Sequence, residues 1–402
     1  MNSGKRILFL VTEDWYFTSH RLEFAVQLQQ AGYQVSVGCR FSGQEQIIRS
    51  RGIRAFSLPF TRQSTSFRKA LEDCFLVRRL IKEIQPDLVH LVALRPIVIG
   101  WLASFGLVRI PTVNAITGLG SLFTGDFDTW RLRGVQFVLA RLLRPMFRRS
   151  DIWNVFQNRE DLRAFLQRGY SCKENSILIQ GAGVDPSVWQ PQSEPKSSSL
   201  VVLFVGRLLK EKGLGELVEA SRQLRSRGSN HVLRVVGSPD DCNPKSLTET
   251  EIRAWEKAGF LEWLGRRTDV LEQMTAAHLI AMPSYYREGL PKVLLEAGLA
   301  QRAVVTCDVI GCREVVTHEL NGLLVPPRNV PALADAIERL LKDSPLRHKL
   351  ALANRERICQ HFSLEIVTKQ FLKLYASLLG PLALVRSAPL EGIKTGPISR
   401  PE

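Results

Sequence analysis

The chain has 402 residues, 45% of them apolar, and 54 Lys+Arg against 39 Asp+Glu leave a net charge of +15. That length predicts two domains of roughly 150–200 residues each, and the charge calls for an anionic partner: nucleic acid, a phosphate-bearing substrate or an anionic membrane face. The longest uncharged apolar run, Pro96 to Val108, has 13 residues, too short to span a bilayer.

Met1 to Val11 runs straight into Thr12-Glu13-Asp14, which reads as a first strand and not as a signal peptide. Further apolar, often β-branched runs follow: 34–39, 87–93, 112–117, 152–157 and 177–181. Helical patterns fall between most of them. One spans His20 to Ala31, with Ser19 as N-cap candidate and Gly32 beyond its end. Trp153 and Phe156 are expected in the core. PQSEPKSSS, 191–199, is polar and lacks periodicity, so it reads as a linker. The alternation then restarts at 200–206, 231–237, 260–265, 279–284, 303–308 and 322–327. Two helical stretches, 331–343 and 346–379, close the pattern, the second broken near Phe362-Ser363. The tail from Pro381 carries four prolines and is expected to be disordered. Seven scattered cysteines without a CxxC pair read as reduced thiols of a cytoplasmic protein.

Strands alternating with helices predict an α/β fold with parallel sheets and ligand sites at the strand C-terminal ends. The expected organisation is an N-terminal Rossmann-like domain over 1–190, a second over 200–362, a closing helix over 363–380 and the tail over 381–402. Neither half carries GxGxxG or a Walker A pattern: TEDWYFTSH follows Val11 and GRLLKEKG follows Val205. Hydride transfer and ATP hydrolysis are therefore disfavoured.

The stretch SYYREGLPKVLLEAG, 284–298, reads as the mouth of a helix flanked by two carboxylates. Pro291 suits a first helical turn. Gly289 and Leu290 form the turn before it, where backbone N–H groups favour an anion such as a diphosphate. Glu296 is placed to accept from a ribose diol, and Glu288 from hydroxyls of a sugar beyond the diphosphate. The competing reading makes both glutamates solvated surface charges; the preceding strand and the GLP turn argue against it. Upstream, Gly206, Arg207 and Lys212 follow the first strand of the second half. An Arg fork and a Lys point charge are suited to clamp a leaving diphosphate.

With these residues in place, the second half resembles the nucleotide-sugar domain of the retaining family 4 glycosyltransferases, which have the GT-B architecture. The resemblance rests on Gly206, Arg207, Lys212 and Gly213, on Leu264-Gly265-Arg266, on Glu288 to Glu296, on 306–315 and on Asn321-Gly322. The first half resembles bacterial members that extend undecaprenyl-diphosphate-linked sugars, through 19–35, 87–96 and 116–123. It departs from the family where a Gly-rich loop usually follows the first strand. The resemblance implies a UDP-sugar donor, a lipid-diphosphate-linked sugar acceptor, front-face transfer with retention, and no metal or other cofactor. It implies Arg207, Lys212 and Glu288 as catalytic residues, and Gly206, Arg266, Gly289, Leu290 and Glu296 as nucleotide-sugar contacts. Acceptor contacts are expected from His20, His90, Thr117 and Gly118, with structural hydrogen bonds as the competing role of the two histidines. The donor sugar is expected to be a hexose or an N-acetylhexosamine, GalNAc or GlcNAc leading.

Asp126-Phe-Asp128 spells a metal-nucleotide motif of another fold, and a plain solvated loop is the expected reading. The segment 129–150 carries six arginines and no acid before Ser150, interleaved with aliphatic and aromatic residues. Such a stretch can lie on an anionic bilayer, and a lipid-linked acceptor favours that reading over an ordinary helix. Two other classes stay open: a nucleotide-sugar 2-epimerase of similar two-domain build, and a basic nucleic-acid-binding protein. The latter lacks any recognised nucleic-acid motif.

Overall fold

The computed structural model describes residues 4–60, 67–118, 141, 144–197, 199–240, 243–286 and 288–380. Two all-parallel sheets organise them. The first holds β1 Arg6–Glu13, β2 Gln34–Arg40, β3 Arg54–Ser57, β4 Leu88–Val92, β5 Thr112–Ile116, β6 Ile152–Phe156 and β7 Ser176–Leu178. The second holds β8 Leu200–Val205, β9 His231–Val236, β10 Glu262–Trp263, β11 Leu279–Met282, β12 Ala303–Cys307 and β13 Leu323–Val325. Their orders are β3-β2-β1-β4-β5-β6-β7 and β10-β9-β8-β11-β12-β13. Both therefore reverse direction beside their first strand, between β1 and β4 and between β8 and β11. Crevices open at such switch points, outside the strand C-terminal ends.

Helices cover both faces of each sheet, so the central strands read as unbroken apolar runs. Ile7 to Val11 and Leu279 to Met282 are buried throughout. Phe156 is fully buried in the core on one face of the first sheet, whereas Trp153 packs half-buried against the core on the other. The closing helix Leu364–Leu379 returns to the first sheet and adds Leu364, Val367, Phe371, Leu374 and Tyr375 to its core. Truncating any one of these to alanine costs about 2–5 kcal/mol by the usual large-to-small cost, which keeps the helix docked. The chain's two passages between the halves are tied together: Val184 N–H donates to Phe362 O at 3.1 Å, and Leu364 N–H to Val184 O at 2.8 Å.

Between the two sheets the linker is pinned at Gln192 and Glu194: Arg347 holds Glu194 through two bonds of 2.9 and 2.8 Å, and Arg302 donates to Gln192 O at 2.9 Å. β3 is a strand that the apolar runs do not predict, because RAFS is short and only Ala55 of its four residues is buried. The first helical stretch is two helices, Asp14–His20 and Leu22–Gln30, broken at Arg21 with φ −130° and ψ −15°. Ser19 is not a cap; its hydroxyl donates back to Trp15 O at 2.7 Å. The helix starts at Asp14, whose buried carboxylate accepts from the Ser42 and Gln44 amides at 2.7 and 2.8 Å. The break near Phe362-Ser363 stands, between the helix Ser344–His361 and the closing helix.

Candidate active site

The second half builds its wall from two loops. After β8 the chain passes Gly206 and Arg207 into a tight turn, Lys210–Lys212, that ends at Gly213 in the left-handed region, φ +79°. A Cβ there would stand 2.2 Å from the Pro283 carbonyl oxygen. Glycine thus lets this turn press against the segment that leaves β11, and Tyr285 N–H donates to Glu211 O at 3.0 Å. The approach brings Lys212 into an ion pair with Glu288, which also accepts from Ser284 Oγ at 3.3 Å. Their side chains are only 12% and 21% exposed, so the pair sits in a partly dried environment where charge counts for more.

The expected helix mouth is present. Pro291, φ −71°, is the N-cap and not the first helical residue, and the helix runs Lys292–Leu299. One turn inside it, Glu296 accepts from Lys292 Nζ at 2.7 Å. Arg207 donates to Asp240 at 3.0 Å.

The first half supplies the facing wall. His20 ends the helix Asp14–His20; its ring stacks on Tyr16 with centroids 4.3 Å apart and planes 3° from parallel. His20 Nδ1 lies 2.6 Å from Ser19 Oγ. That contact engages Nδ1, whichever of the two groups donates, and ties the ring to the end of its own helix. Burial first, then the charges of Lys292 and Arg21, push the His20 pKa down to about 3, so the ring is neutral at neutral pH. Burial likewise pushes the Cys307 and Cys312 thiols up to about 12, which removes them as nucleophiles.

The halves meet at the GLP turn. Gly289 N–H donates to Thr117 O at 3.1 Å, and Asn158 Nδ2 donates to Gly289 O at 3.3 Å. A Cβ on Gly289 would stand 2.3 Å from both Thr117 O and Gln157 Oε1. The space that glycine leaves is filled by the first half, and its amide is engaged there and is not free for an anion.

Two cavities result. One, about 340 Å³, is lined by Tyr16, His20, Thr117 and Gly118 from the first half and by Arg207, Glu288, Gly289, Leu290 and Lys292 from the second. The other, about 670 Å³, is lined by Trp15 and Arg40 together with Gly206, Arg207, Asp240 and Arg266. Arg207 borders both and marks their junction.

The sequence-predicted residues Arg207, Glu288, Gly289, Leu290, His20, Thr117 and Gly118 thus gather around the first cavity, with Lys212 paired to Glu288, while Gly206 and Arg266 line the second. His90 is corrected. It lies inside β4 and is fully buried, and its ring stacks 4.7 Å from Phe9 while Nδ1 pairs with the Tyr375 hydroxyl, the structural role and not the acceptor contact. It belongs to the core under the closing helix. Sequence reasoning missed Tyr16, Gln157, Asn158 and Lys292. Tyr16 and Lys292 lie in the helices that follow β1 and β11, and Gln157 and Asn158 directly follow β6; a place just after a strand was the available signal. Asp126, Asp128 and most of 129–150 lie outside the described residues. Among the described residues no group of three or more His, Cys, Asp or Glu gathers as a metal site, and no helix is long and apolar enough to cross a membrane.

Comparison with known proteins agrees with this geometry. The family described as Glycosyl transferases group 1 matches residues 187–357, and the one described as Glycosyl transferase 4-like matches residues 6–151. The chain is 28% identical over 344 residues to the N,N'-diacetylbacillosaminyl-diphospho-undecaprenol alpha-1,3-N-acetylgalactosaminyltransferase of Campylobacter jejuni, covering 82% of this chain and 87% of that enzyme. It is 24% identical over 295 residues to the capsular polysaccharide biosynthesis glycosyltransferase CapM of Staphylococcus aureus, covering 70% and 74%. In structure it resembles sucrose-phosphate synthase from Thermosynechococcus elongatus, with TM-score 0.77 at 20% identity over 93% of this chain and 99% of that one. It also resembles Anabaena Alr3699/HepE, solved with UDP and glucose, with TM-score 0.75 at 20% identity over 93% and 100%. At these identities the structural likeness establishes the fold.

Proposed function

The chain belongs to the group 1 glycosyltransferases and has the GT-B fold, and from that premise we propose the reaction it performs. It moves a hexose or N-acetylhexosamine, with retention, from a UDP-sugar to an undecaprenyl-diphosphate-linked sugar in surface polysaccharide or glycan assembly. The observation that carries the reading is the cavity shared by both halves. It places a cation junction, a carboxylate and a neutral imidazole around one space. The identity to the Campylobacter enzyme, whose name gives a diphospho-undecaprenol acceptor, supports the acceptor class.

In this reading the nucleotide occupies the larger cavity along Gly206 and Arg266, with Glu296 near the ribose. The diphosphate crosses the junction at Arg207, and the sugar enters the shared cavity against Glu288, Leu290 and the GLP turn. The bond from the anomeric carbon to the diphosphate oxygen breaks. An acceptor hydroxyl forms its bond to the same carbon on the same face, and its proton passes to the departing phosphate oxygen. UDP leaves with the bonding pair. Arg207 and Lys212 meet the charge that develops on the leaving group, where fixed donors act most strongly. Lys212 is held for this task by Glu288, which in turn orients the sugar hydroxyls. His20, Thr117 and Gly118 border the acceptor side. No protein nucleophile and no metal enters the scheme.

The test is the product. Incubation of the protein with a panel of UDP-sugars and a lipid-diphosphate-linked sugar should yield one extended lipid-linked saccharide, with the anomeric configuration of the donor kept. An inverted product would overturn the mechanism. Conversion of the UDP-sugar to its C2 epimer without acceptor would favour the isomerase instead.

A further inference from the structure

On the flank of the first half, the helix Phe67–Ile84 packs beside the helix Leu94–Ala103. Arg78 locks the joint by donating to the carbonyls of Ala103, at 3.1 Å, and of Phe105. Around it stand Leu71, Phe75, Leu102, Phe105 and Val108, which the fold leaves in solvent. Phe75 is 68% exposed, Phe105 70% and Val108 86%. Scattered apolar side chains on a surface mean little, but a contiguous set at this exposure marks an interaction site. Phe105 does not dangle; Trp101 meets it edge-on at 6.0 Å between centroids and braces it outward. Arg68, Arg79, Lys82 and Arg109 are exposed around the set, against Glu72 and Glu83, and Glu72 is already paired with Arg68 at 3.3 Å.

We propose that this ridge inserts into the interface of an anionic lipid bilayer. The inference rests on the reading that the acceptor is lipid-linked, and it assigns the contact to a surface other than the arginine-rich segment 129–150. The chemistry is that of an interfacial wedge: apolar side chains reach the acyl boundary while flanking cations stay at headgroup depth. The set is carried by two helices and the turn that follows them. Its exposed charged neighbours, Arg68, Arg79, Lys82 and Arg109 against Glu72 and Glu83, are net cationic, which suits an anionic lipid interface. The site's position agrees. Leu94, at the start of its helix, lines the shared cavity, and Leu102 near its end belongs to the ridge. At about 1.5 Å per residue the two lie roughly 12 Å apart along the axis. A bilayer seated on the ridge therefore lies close to the cleft that a diphosphate-linked saccharide must enter.

The experiment is cosedimentation of the full chain with phosphatidylglycerol/phosphatidylcholine vesicles and with phosphatidylcholine alone, at low salt. One variant combines Phe75→Ser, Phe105→Ser and Val108→Ser; a second combines Arg79→Gln, Lys82→Gln and Arg109→Gln. All six positions are exposed, so folding is not at risk. Wild-type protein should bind the anionic vesicles, the apolar variant should lose about tenfold or more of its partition, and the charge variant should bind with a flatter salt dependence. Turnover on a water-soluble acceptor analogue should match wild type in both. Wild-type protein that ignores anionic vesicles, or an apolar variant that binds them undiminished, would overturn the proposal. So would a wild-type dimer in light scattering that the apolar variant dissociates, since the ridge would then serve a second copy. Soluble-acceptor turnover reports on the transferase reading separately: its absence, with vesicle binding intact and lost in the variant, would sink that reading and leave the ridge standing.

Discussion

Lys212 and Glu288 stand 76 residues apart in the chain and form an ion pair in the fold. The pair joins the turn after β8 to the helix mouth after β11, the two loops that flank the switch point of the second sheet. Neither residue acts alone there. Lys212 is held by Glu288, and Glu288 also accepts from Ser284 Oγ at 3.3 Å.

Removing the cation should therefore cost rate. Lys212→Ala or Arg207→Ala should each lower kcat about 100–1000-fold, the usual loss when one preorganised donor to developing charge is removed. Steady-state kinetics on the UDP-sugar checks this, and near-normal turnover in both would remove the diphosphate role. Glu288→Ala should also lower kcat. The Lys212→Ala/Glu288→Ala double variant should lose less than the sum of the singles, with a coupling of about 0.5–3 kcal/mol for contacting residues.

Glu296→Ala should behave differently. In the proposed reading it contacts the ribose alike in ground and transition states, so the KM for the UDP-sugar should rise while kcat changes little. The variant also frees Lys292 from its 2.7 Å bond to Glu296. If kcat falls and KM holds, the nucleotide runs the other way across the helix mouth.

Gly289→Ala places a methyl group 2.3 Å from the Thr117 carbonyl oxygen and from Gln157. The former is backbone and cannot swing aside. Urea denaturation should show a loss of about 1–3 kcal/mol, the usual cost of overpacking, and transfer activity should drop with it. Wild-type stability and wild-type activity together would show that the halves do not meet at this turn in solution.

The His20 ring gives a pH prediction. Burial and the neighbouring cations lower its folded pKa from 6.5 to about 3. The unfolded chain then binds this proton more readily than the folded one. The stability this ring contributes is complete above about pH 6.5 and is lost as pH falls from there toward 3. Nuclear magnetic resonance of the imidazole should show no titration between pH 5 and 8, and a midpoint near 6.5 would contradict the packed, neutral ring.

Much of this architecture is legible in the sequence because parallel strands covered on both faces leave long apolar runs. The residues of the second-half loops are legible too, since Arg207, Lys212, Glu288 and Glu296 all lie within a few positions of strand or helix ends. What escapes is non-local. β3 is a four-residue edge with too little alternation to register. The helix at Asp14 is anchored by backbone amides of Ser42 and Gln44, which no local window contains. His90 looks like a cleft residue until Tyr375, 285 positions later, caps it from the closing helix. Gly289 looks like a ligand contact because the Thr117 carbonyl that takes its amide belongs to the other half.

The central claim, that one cavity built by both halves transfers a sugar to a lipid-linked acceptor, has a direct measurement. It is the initial rate of UDP release by the wild-type protein from its UDP-sugar, with and without a lipid-diphosphate-linked sugar. The account predicts release that depends on the acceptor, saturates with it and matches the extended saccharide one for one. Release that proceeds at the same rate in its absence, or no release with any UDP-sugar in its presence, would contradict it.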